Sequence, residues 1–63
     1  MALVNRLIDV ANEFRFSQGF YSRLYNDLLE MSEEDLCNIN KQMEQDLGTQ
    51  NVSDLDIILW LEQ

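Results

Sequence analysis

The side chains of this chain that could do chemistry are carboxylates. Twelve of the 63 residues are Asp or Glu, and seven of them fall in three short clusters, Glu33–Asp35, Glu44/Asp46 and Asp54/Asp56. Paired carboxylates can serve general acid–base catalysis or bind a divalent cation. Two of the clusters fall where helices are predicted to begin, and acids are favoured there by the helix dipole alone. None has the glycine-containing loop spacing of a calcium site, so we expect no metal site and no cofactor.

Nucleophilic catalysis finds no support in the sequence either. The chain has no histidine and a single cysteine, Cys37. Without an imidazole there is no usual proton shuttle near neutral pH and nothing to activate the thiol. We interpret Cys37 as a half-buried small side chain and predict that the protein is not an enzyme.

Charge is distributed unevenly along the chain, whose formal net charge is −8. Residues 24–63 carry ten acids and one lysine, whereas residues 1–23 carry two acids and three arginines. Such a surplus opposes folding by self-repulsion, and it is useful for attracting a basic partner or for solubility. It also repels nucleic acid phosphates and anionic lipid headgroups. We therefore expect a basic protein partner, with no direct binding to nucleic acid or membrane.

The spacing of the acids adds a sharper hypothesis. On a helix, carboxylates three or four residues apart lie roughly 5–6 Å apart, near the spacing of phosphates along a nucleic acid. The acids together could therefore mimic DNA and occupy a basic groove. An acidic solvated face is also common on small helical proteins, and the sequence leaves both interpretations open. The candidate partner-binding residues are Asp27, Glu30, Glu33, Glu34, Asp35, Glu44, Asp46, Asp54 and Asp56.

The length of the chain predicts one domain, residues 1–63, with a narrow stability margin. A lone cysteine and the lack of histidine exclude an internal disulfide and a Cys/His zinc site, which leaves self-association as the remaining support for a small core. The candidate self-association residues are Ile57, Trp60 and Leu61. One cysteine and no apolar run of signal-peptide or membrane-span length predict a cytoplasmic protein.

The elements that must position these residues are helices. The chain has no proline and two glycines, and its apolar residues recur at i, i+3 and i+4. We predict an all-α fold, a small bundle of three main helices plus a short C-terminal helix. Ser17, Ser32 and Ser53 are predicted N-caps, and Gly48 is predicted to end the third helix. The predicted helices span about residues 2–13, 18–30 and 33–47, followed by a short one after Ser53.

The second helix is predicted to be the central packing element, because its apolar residues form two adjacent ridges. Arg23 and Asp27 lie one turn apart on its flank and can pair, and Phe16 can pack on Tyr21 as a hydrophobic staple. The residues expected in the core around the first corner are Phe14, Phe20 and Leu24. The residues left there as candidate contacts are Arg15, Arg23 and Tyr25.

Two segments, SQGFYSRLYNDL at residues 17–28 and LDIILWLE at residues 55–62, resemble a loose group of short, acidic phage and mobile-element proteins. No residue role carries over from that group. The resemblance implies a setting, since small acidic proteins of mobile elements often bind and block a host enzyme, including DNA-processing and defence nucleases. We therefore expect an inhibitor or modulator of a basic nucleic-acid-handling or defence protein. The alternative is a structural homo-oligomerisation module with a solubilising acidic surface.

Overall fold

Helices account for most of the chain. The computed structural model describes residues 2–63, and this part contains four α-helices and no strand. Helix α1 spans Ala2–Phe14, α2 spans Gly19–Glu30, α3 spans Glu33–Leu47 and the short α4 spans Asp54–Leu61. The predicted all-α fold of three main helices and a short last one is confirmed.

Helix α1 is the centre of the bundle. It contacts α2, α3 and α4, whereas among the other helices only α3 and α4 pack closely together. The buried residues of α1 include two adjacent pairs, Leu3/Val4 and Val10/Ala11, which make its apolar stripe wide enough for three neighbours. Helix α2 buries only Tyr21 and Leu28, so the prediction that α2 is the central element is wrong.

A side chain from α3 holds the N-terminus of α1. Asn40 is buried, and its Oδ1 accepts hydrogen bonds from the backbone N–H groups of Leu3 and Val4, both at 3.0 Å. Its Nδ2 donates to Oε1 of Glu44 at 2.7 Å. The first amides of a helix have no partner within the helix, so Asn40 satisfies two of them from 36 and 37 residues away.

Two of the three predicted serine caps are confirmed. Oγ of Ser32 accepts the N–H of Asp35 at 3.3 Å. Ser53 and Asp56 form a full capping box, since each side chain accepts the backbone N–H of the other residue. Gly48 ends α3 with a positive φ of 79°, a conformation that glycine adopts at little cost. These stops and starts are local, which is why the sequence predicts them.

The predicted cap at Ser17 is wrong. Helix α2 begins after Gln18, which makes no side-chain capping bond, and the N–H of Ser17 instead donates to the carbonyl of Phe14 in the turn that closes α1. The predicted staple is absent too, because Phe16 is 87% exposed. Phe14, the last residue of α1, packs against the core, and Ser17 lies in the turn that follows it.

The remaining core comes from α2, α3 and the segment leading into α4. Leu28, Met43 and Ile57 are almost fully buried against α1, and Val52 joins them from the loop before α4. The radius of gyration is 11.0 Å, close to the roughly 10.6 Å expected for a compact chain of this length. None of the helices in residues 2–63 has both the length and the apolar character needed to cross a bilayer.

Candidate functional site

All nine candidate partner-binding acids lie outside the core, eight of them exposed and Asp56 half-buried. The structure separates them into two groups by what their carboxylates touch. Four accept hydrogen bonds from other described residues and stabilise the fold. Five have no such partner, and they lie together at one helix junction. The first group consists of Glu44, Asp46, Asp54 and Asp56.

The carboxylates of Asp54 and Asp56 secure the start of α4. Asp56 belongs to the capping box described above. Asp54 pairs with Arg6 of α1 at 2.9 Å, the one ion pair within 4 Å in residues 2–63. The guanidinium of Arg6 also donates to the carbonyl of Val52. Arg6 therefore links α1 to the N-terminal end of α4. The carboxylates of Asp54 and Asp56 both have partners within the molecule.

Asp46 joins α3 to α4. Its Oδ2 accepts the indole N–H of Trp60 at 2.7 Å, and Gln42 donates to both of its oxygens at 3.2 Å. Because the hydrogen bonds from Trp60 and then Gln42 favour the ionised form, they lower the pKa of Asp46 below 3.8. The indole N–H of Trp60 therefore has its hydrogen-bond acceptor within the molecule.

The second group forms what we call the acidic corner. It joins the C-terminal end of α2 to the N-terminal end of α3. None of its carboxylates has a hydrogen-bond or ion-pair partner among the described residues, and no Lys or Arg lies between residues 24 and 40. Its members are Asp27, Glu30, Glu33, Glu34 and Asp35.

The predicted pair between Arg23 and Asp27 is not formed, since no ion pair joins them within 4 Å. Both residues are exposed. An i, i+4 pair on an exposed helix surface is worth only about 0.3–0.5 kcal/mol, which is little against the hydration of both groups. Asp27 therefore has no ion-pair partner at the acidic corner.

The helix dipoles divide the acidic corner in two. Glu33, Glu34 and Asp35 occupy the first turn of α3, where the positive end of the dipole stabilises acids. Asp27 and Glu30 lie in the last turn of α2, which has no basic residue, so they add to the negative end of that dipole. The acids of α3 therefore stabilise the helix on which they lie, whereas the acids of α2 have no such stabilising effect.

Exposed leucines lie on two of the helices. Leu29 is 59% exposed and lies between the two α2 acids of the acidic corner. Leu55 and Leu59 are 62% and 51% exposed, and their i, i+4 spacing puts them on one face of α4. Isolated exposed leucines are ordinary, but Leu29 in the last turn of α2, and the pair on one face of α4, are apolar surface available to partners.

The predicted self-association residues need correction. Ile57 has no exposed surface, so it cannot meet a second chain. Trp60 and Leu61 are half-buried and pack against the core. The exposure of Leu55 and Leu59 was not predictable from the sequence. Helix α4 is apolar nearly all round, and periodicity alone does not show which face meets α1.

The aromatic corner between α1 and α2 is more open than predicted. Phe14 and Leu24 are half-buried against the core, as expected. Phe20 is 47% exposed, so its predicted core position is wrong. Its ring meets Tyr21 edge-on at 5.3 Å between centroids, and the buried Tyr21 takes the core position.

The described residues provide little for catalysis or metal binding. Within residues 2–63, no group of three or more His, Cys, Asp or Glu side chains is placed to hold a metal ion, and no pocket is found. Cys37 is a free thiol and is half-buried, as predicted. The candidate site on residues 2–63 is therefore a surface and not a pocket.

The fold and the surface define a small all-α protein in which five exposed carboxylates at one helix junction have no hydrogen-bond or ion-pair partner among the described residues. Comparison of the chain with protein-family models, with curated proteins and with solved structures finds no match in any of the three.

Proposed function

We propose that this protein is a non-enzymatic binding module whose acidic corner docks on a basic surface of another protein. The observation that carries the proposal is the set of five exposed carboxylates without internal partners at one helix junction. Electrostatic complementarity would speed encounter with a basic partner, and the exposed Leu29, next to Glu30 in the chain, would add apolar contact. The other four candidate acids are occupied within the fold and contribute to the field only.

Two features favour partner binding over simple solvation. Asp27 and Glu30 lie at the unfavourable end of α2, so they reduce the stability of the free protein. Leu29 between them is exposed, which does not improve solubility. A surface that only kept the protein dissolved would need neither feature.

The partner class that suits this surface best is a basic nucleic-acid-handling or defence protein, with the acidic corner standing in for DNA phosphates. Its α2 acids are three residues apart, and its α3 acids are consecutive. The i, i+3 pair lies on one face of α2 and the consecutive acids spread around the first turn of α3, so together the five carboxylates form a dense patch of negative charge. A basic phosphate-binding groove would attract such a patch. In this role the protein inhibits or modulates its partner by occupying the groove, as a phage or mobile-element protein would.

The test is a pull-down with matched variants. The corner variant carries Asp27→Asn, Glu30→Gln and Glu33→Gln, and the control carries Asp9→Asn, Glu13→Gln and Glu62→Gln. The control acids are exposed and have no side-chain hydrogen bonds within the described residues. Both variants lose three charges, so a general charge effect changes both equally.

We expect the wild-type protein and the control to retain a basic protein from bacterial lysate that duplex DNA releases, and the corner variant to lose it. Circular dichroism should show the same helix content for all three proteins. Retention should weaken steeply as salt is raised. Binding that is insensitive to salt, or equal loss in the control, would contradict the proposal.

A second candidate function is homo-oligomerisation, which the exposed Leu55 and Leu59 on one face of α4 favour. In that case the acids keep the assembly soluble. Light scattering of wild type and of Leu55→Glu/Leu59→Glu distinguishes the two functions. A wild-type dimer that the double variant converts to monomer supports oligomerisation, and a wild-type monomer at high concentration removes it.

A further inference from the structure

A second surface, opposite in sign to the acidic corner, lies where α1 turns into α2. The guanidinium of Arg15 is 4.4 Å from the ring centroid of Phe16 and 5.3 Å from that of Tyr25. Phe16 is 87% exposed and Phe20 is 47% exposed. Arg23 follows Phe20 by one turn and is also exposed. We call these five residues the Arg15 corner.

Arg15 has no anionic partner in the described part of the chain. It makes no ion pair there, although the protein carries twelve acids against four bases. Arg6, by contrast, is paired with Asp54. Nε of Arg15 is the one buried side-chain nitrogen or oxygen in residues 2–63 without a hydrogen bond, so its terminal nitrogens are the part that remains accessible.

Two aromatic rings contact the guanidinium of Arg15. The cation–π contacts with Phe16 and Tyr25 favour this position, and the terminal nitrogens form no ion pair among the described residues. A guanidinium edge matches a carboxylate with two parallel hydrogen bonds, which an ammonium cannot reproduce. Because the side chain is already held, less rotamer entropy is lost on binding.

We propose that the Arg15 corner is a docking surface for an acidic segment of a partner protein. A carboxylate of that segment binds the terminal nitrogens of Arg15, and a neighbouring apolar side chain packs on Phe16 and Phe20. Arg23 adds a second positive charge at the edge. This surface does not depend on the acidic corner, and it takes a ligand of the opposite charge.

Charge complementarity selects this occupant. The corner holds two cationic side chains, Arg15 and Arg23, and neither forms an ion pair among the described residues, although Asp27 of the acidic corner lies one turn after Arg23. Both guanidinium groups are therefore available to a carboxylate of a ligand. A long polyanion would extend further into the field of the −8 protein than a short acidic segment would.

The direct test is a nuclear magnetic resonance titration of the full ¹⁵N-labelled chain. The probe is the blocked peptide Ser-Asp-Phe-Glu-Ser, and the matched control peptide is Ser-Asn-Phe-Gln-Ser. We expect the acidic peptide to shift the Nε–H resonance of Arg15 and the amides of Phe16 and Phe20, and the control peptide to shift them far less. Equal shifts with both peptides, or no shifts at millimolar concentration, would overturn the proposal.

Variants then separate the guanidinium from its charge. Arg15→Lys keeps the charge but loses the planar edge, and Phe16→Ser removes an exposed ring whose loss leaves the core intact. We expect each to weaken acidic-peptide binding by about tenfold, the size of a modest hot spot. Asp27→Asn/Glu30→Gln removes nearby negative charge and should not weaken peptide binding, which separates this surface from the acidic corner. Full binding by Arg15→Lys would overturn the assigned role of the guanidinium.

Two further arms address other occupants. A single-stranded dodecathymidylate that shifts the same resonances more strongly than the peptide would show a nucleic acid site and overturn the proposal. Shifts of the Arg15 corner that depend on protein concentration alone would assign the surface to acids of a second copy, which also overturns it. Shifts that require the acidic peptide support it.

Discussion

The indole N–H of Trp60 donates to Oδ2 of Asp46 at 2.7 Å, and this bond joins the last turns of α3 and α4. From the sequence, Asp46 is a candidate partner-binding acid and Trp60 is a candidate self-association residue. The bond gives both a role within the fold. It also places the one tryptophan of the chain as a fluorescent reporter of whether α4 is docked.

The first prediction concerns the pH dependence of that bond. The pKa of Asp46 is lowered below its ordinary value of 3.8, mainly by Trp60. Because the folded-state pKa is the lower one, the stabilisation is present above the ordinary pKa and is lost as the pH falls through the lowered value. We expect Trp60 fluorescence to be constant from pH 7 to about pH 4 and to change below it.

Asp46→Asn is the control for that titration. Its amide can still accept from Trp60 but does not ionise, so the fluorescence change below pH 4 should disappear. An acid transition that is the same in wild type and Asp46→Asn would show that other groups control it.

The second prediction concerns the buried Asn40. Replacing it with alanine removes the acceptor of the Leu3 and Val4 amides and leaves both without a partner. We expect Asn40→Ala to lower the free energy of unfolding by about 2 kcal/mol, measured by urea denaturation. As a comparison, Gln42→Ala removes an exposed side chain and should lower it by less than about 0.5 kcal/mol. Equal effects of the two substitutions would contradict the capping role of Asn40.

The third prediction separates the two halves of the acidic corner by the sign of their effects. Glu30→Gln removes a negative charge from the C-terminal end of α2 and should stabilise the free protein by about 0.3–1 kcal/mol. Glu33→Gln removes a negative charge from the N-terminal end of α3, where the dipole stabilises it, and should destabilise the free protein by a similar amount. Thermal unfolding in low salt measures both changes, and 1 M NaCl should reduce the difference. Identical shifts would mean that net charge alone matters.

The fourth prediction tests which face of α4 meets the core. Ile57→Ala should lower the free energy of unfolding by about 2–4 kcal/mol, because Ile57 is fully buried. Leu59→Ala, two residues away and 51% exposed, should cost less than about 1 kcal/mol. Chemical denaturation of both variants gives the comparison. A larger loss for Leu59→Ala in a monomeric sample would contradict the orientation of α4.

Local features of the fold were predictable from the sequence. The caps at Ser32 and Ser53 bond to residues only three positions away, so the pattern of serine followed by acids is enough to place the helix starts. The same reasoning failed at Ser17, whose N–H donates to the carbonyl of Phe14 in the turn after α1, so that α2 starts one residue later, after Gln18. The serine pattern alone does not show how the preceding helix ends.

The sequence by itself determined the four helices, the net charge and the closeness of the five acids at the α2–α3 junction. Acids within nine residues on either side of a tight turn must lie near one another, whatever the rest of the chain does. The dipole effects at that junction follow from helix boundaries alone. This is why the acidic corner lies within the set of acids that the sequence predicts.

Only the tertiary structure decided which carboxylates are free and which faces are exposed. Asp46 and Asp54 accept hydrogen bonds from Trp60 and Arg6, which lie 14 and 48 residues away in the chain. Asn40 likewise acts on the start of α1 across 37 residues. Such contacts depend on how three helices pack around α1, and no periodicity within one helix contains that information. The free acidic corner is what remains after these long-range bonds have formed.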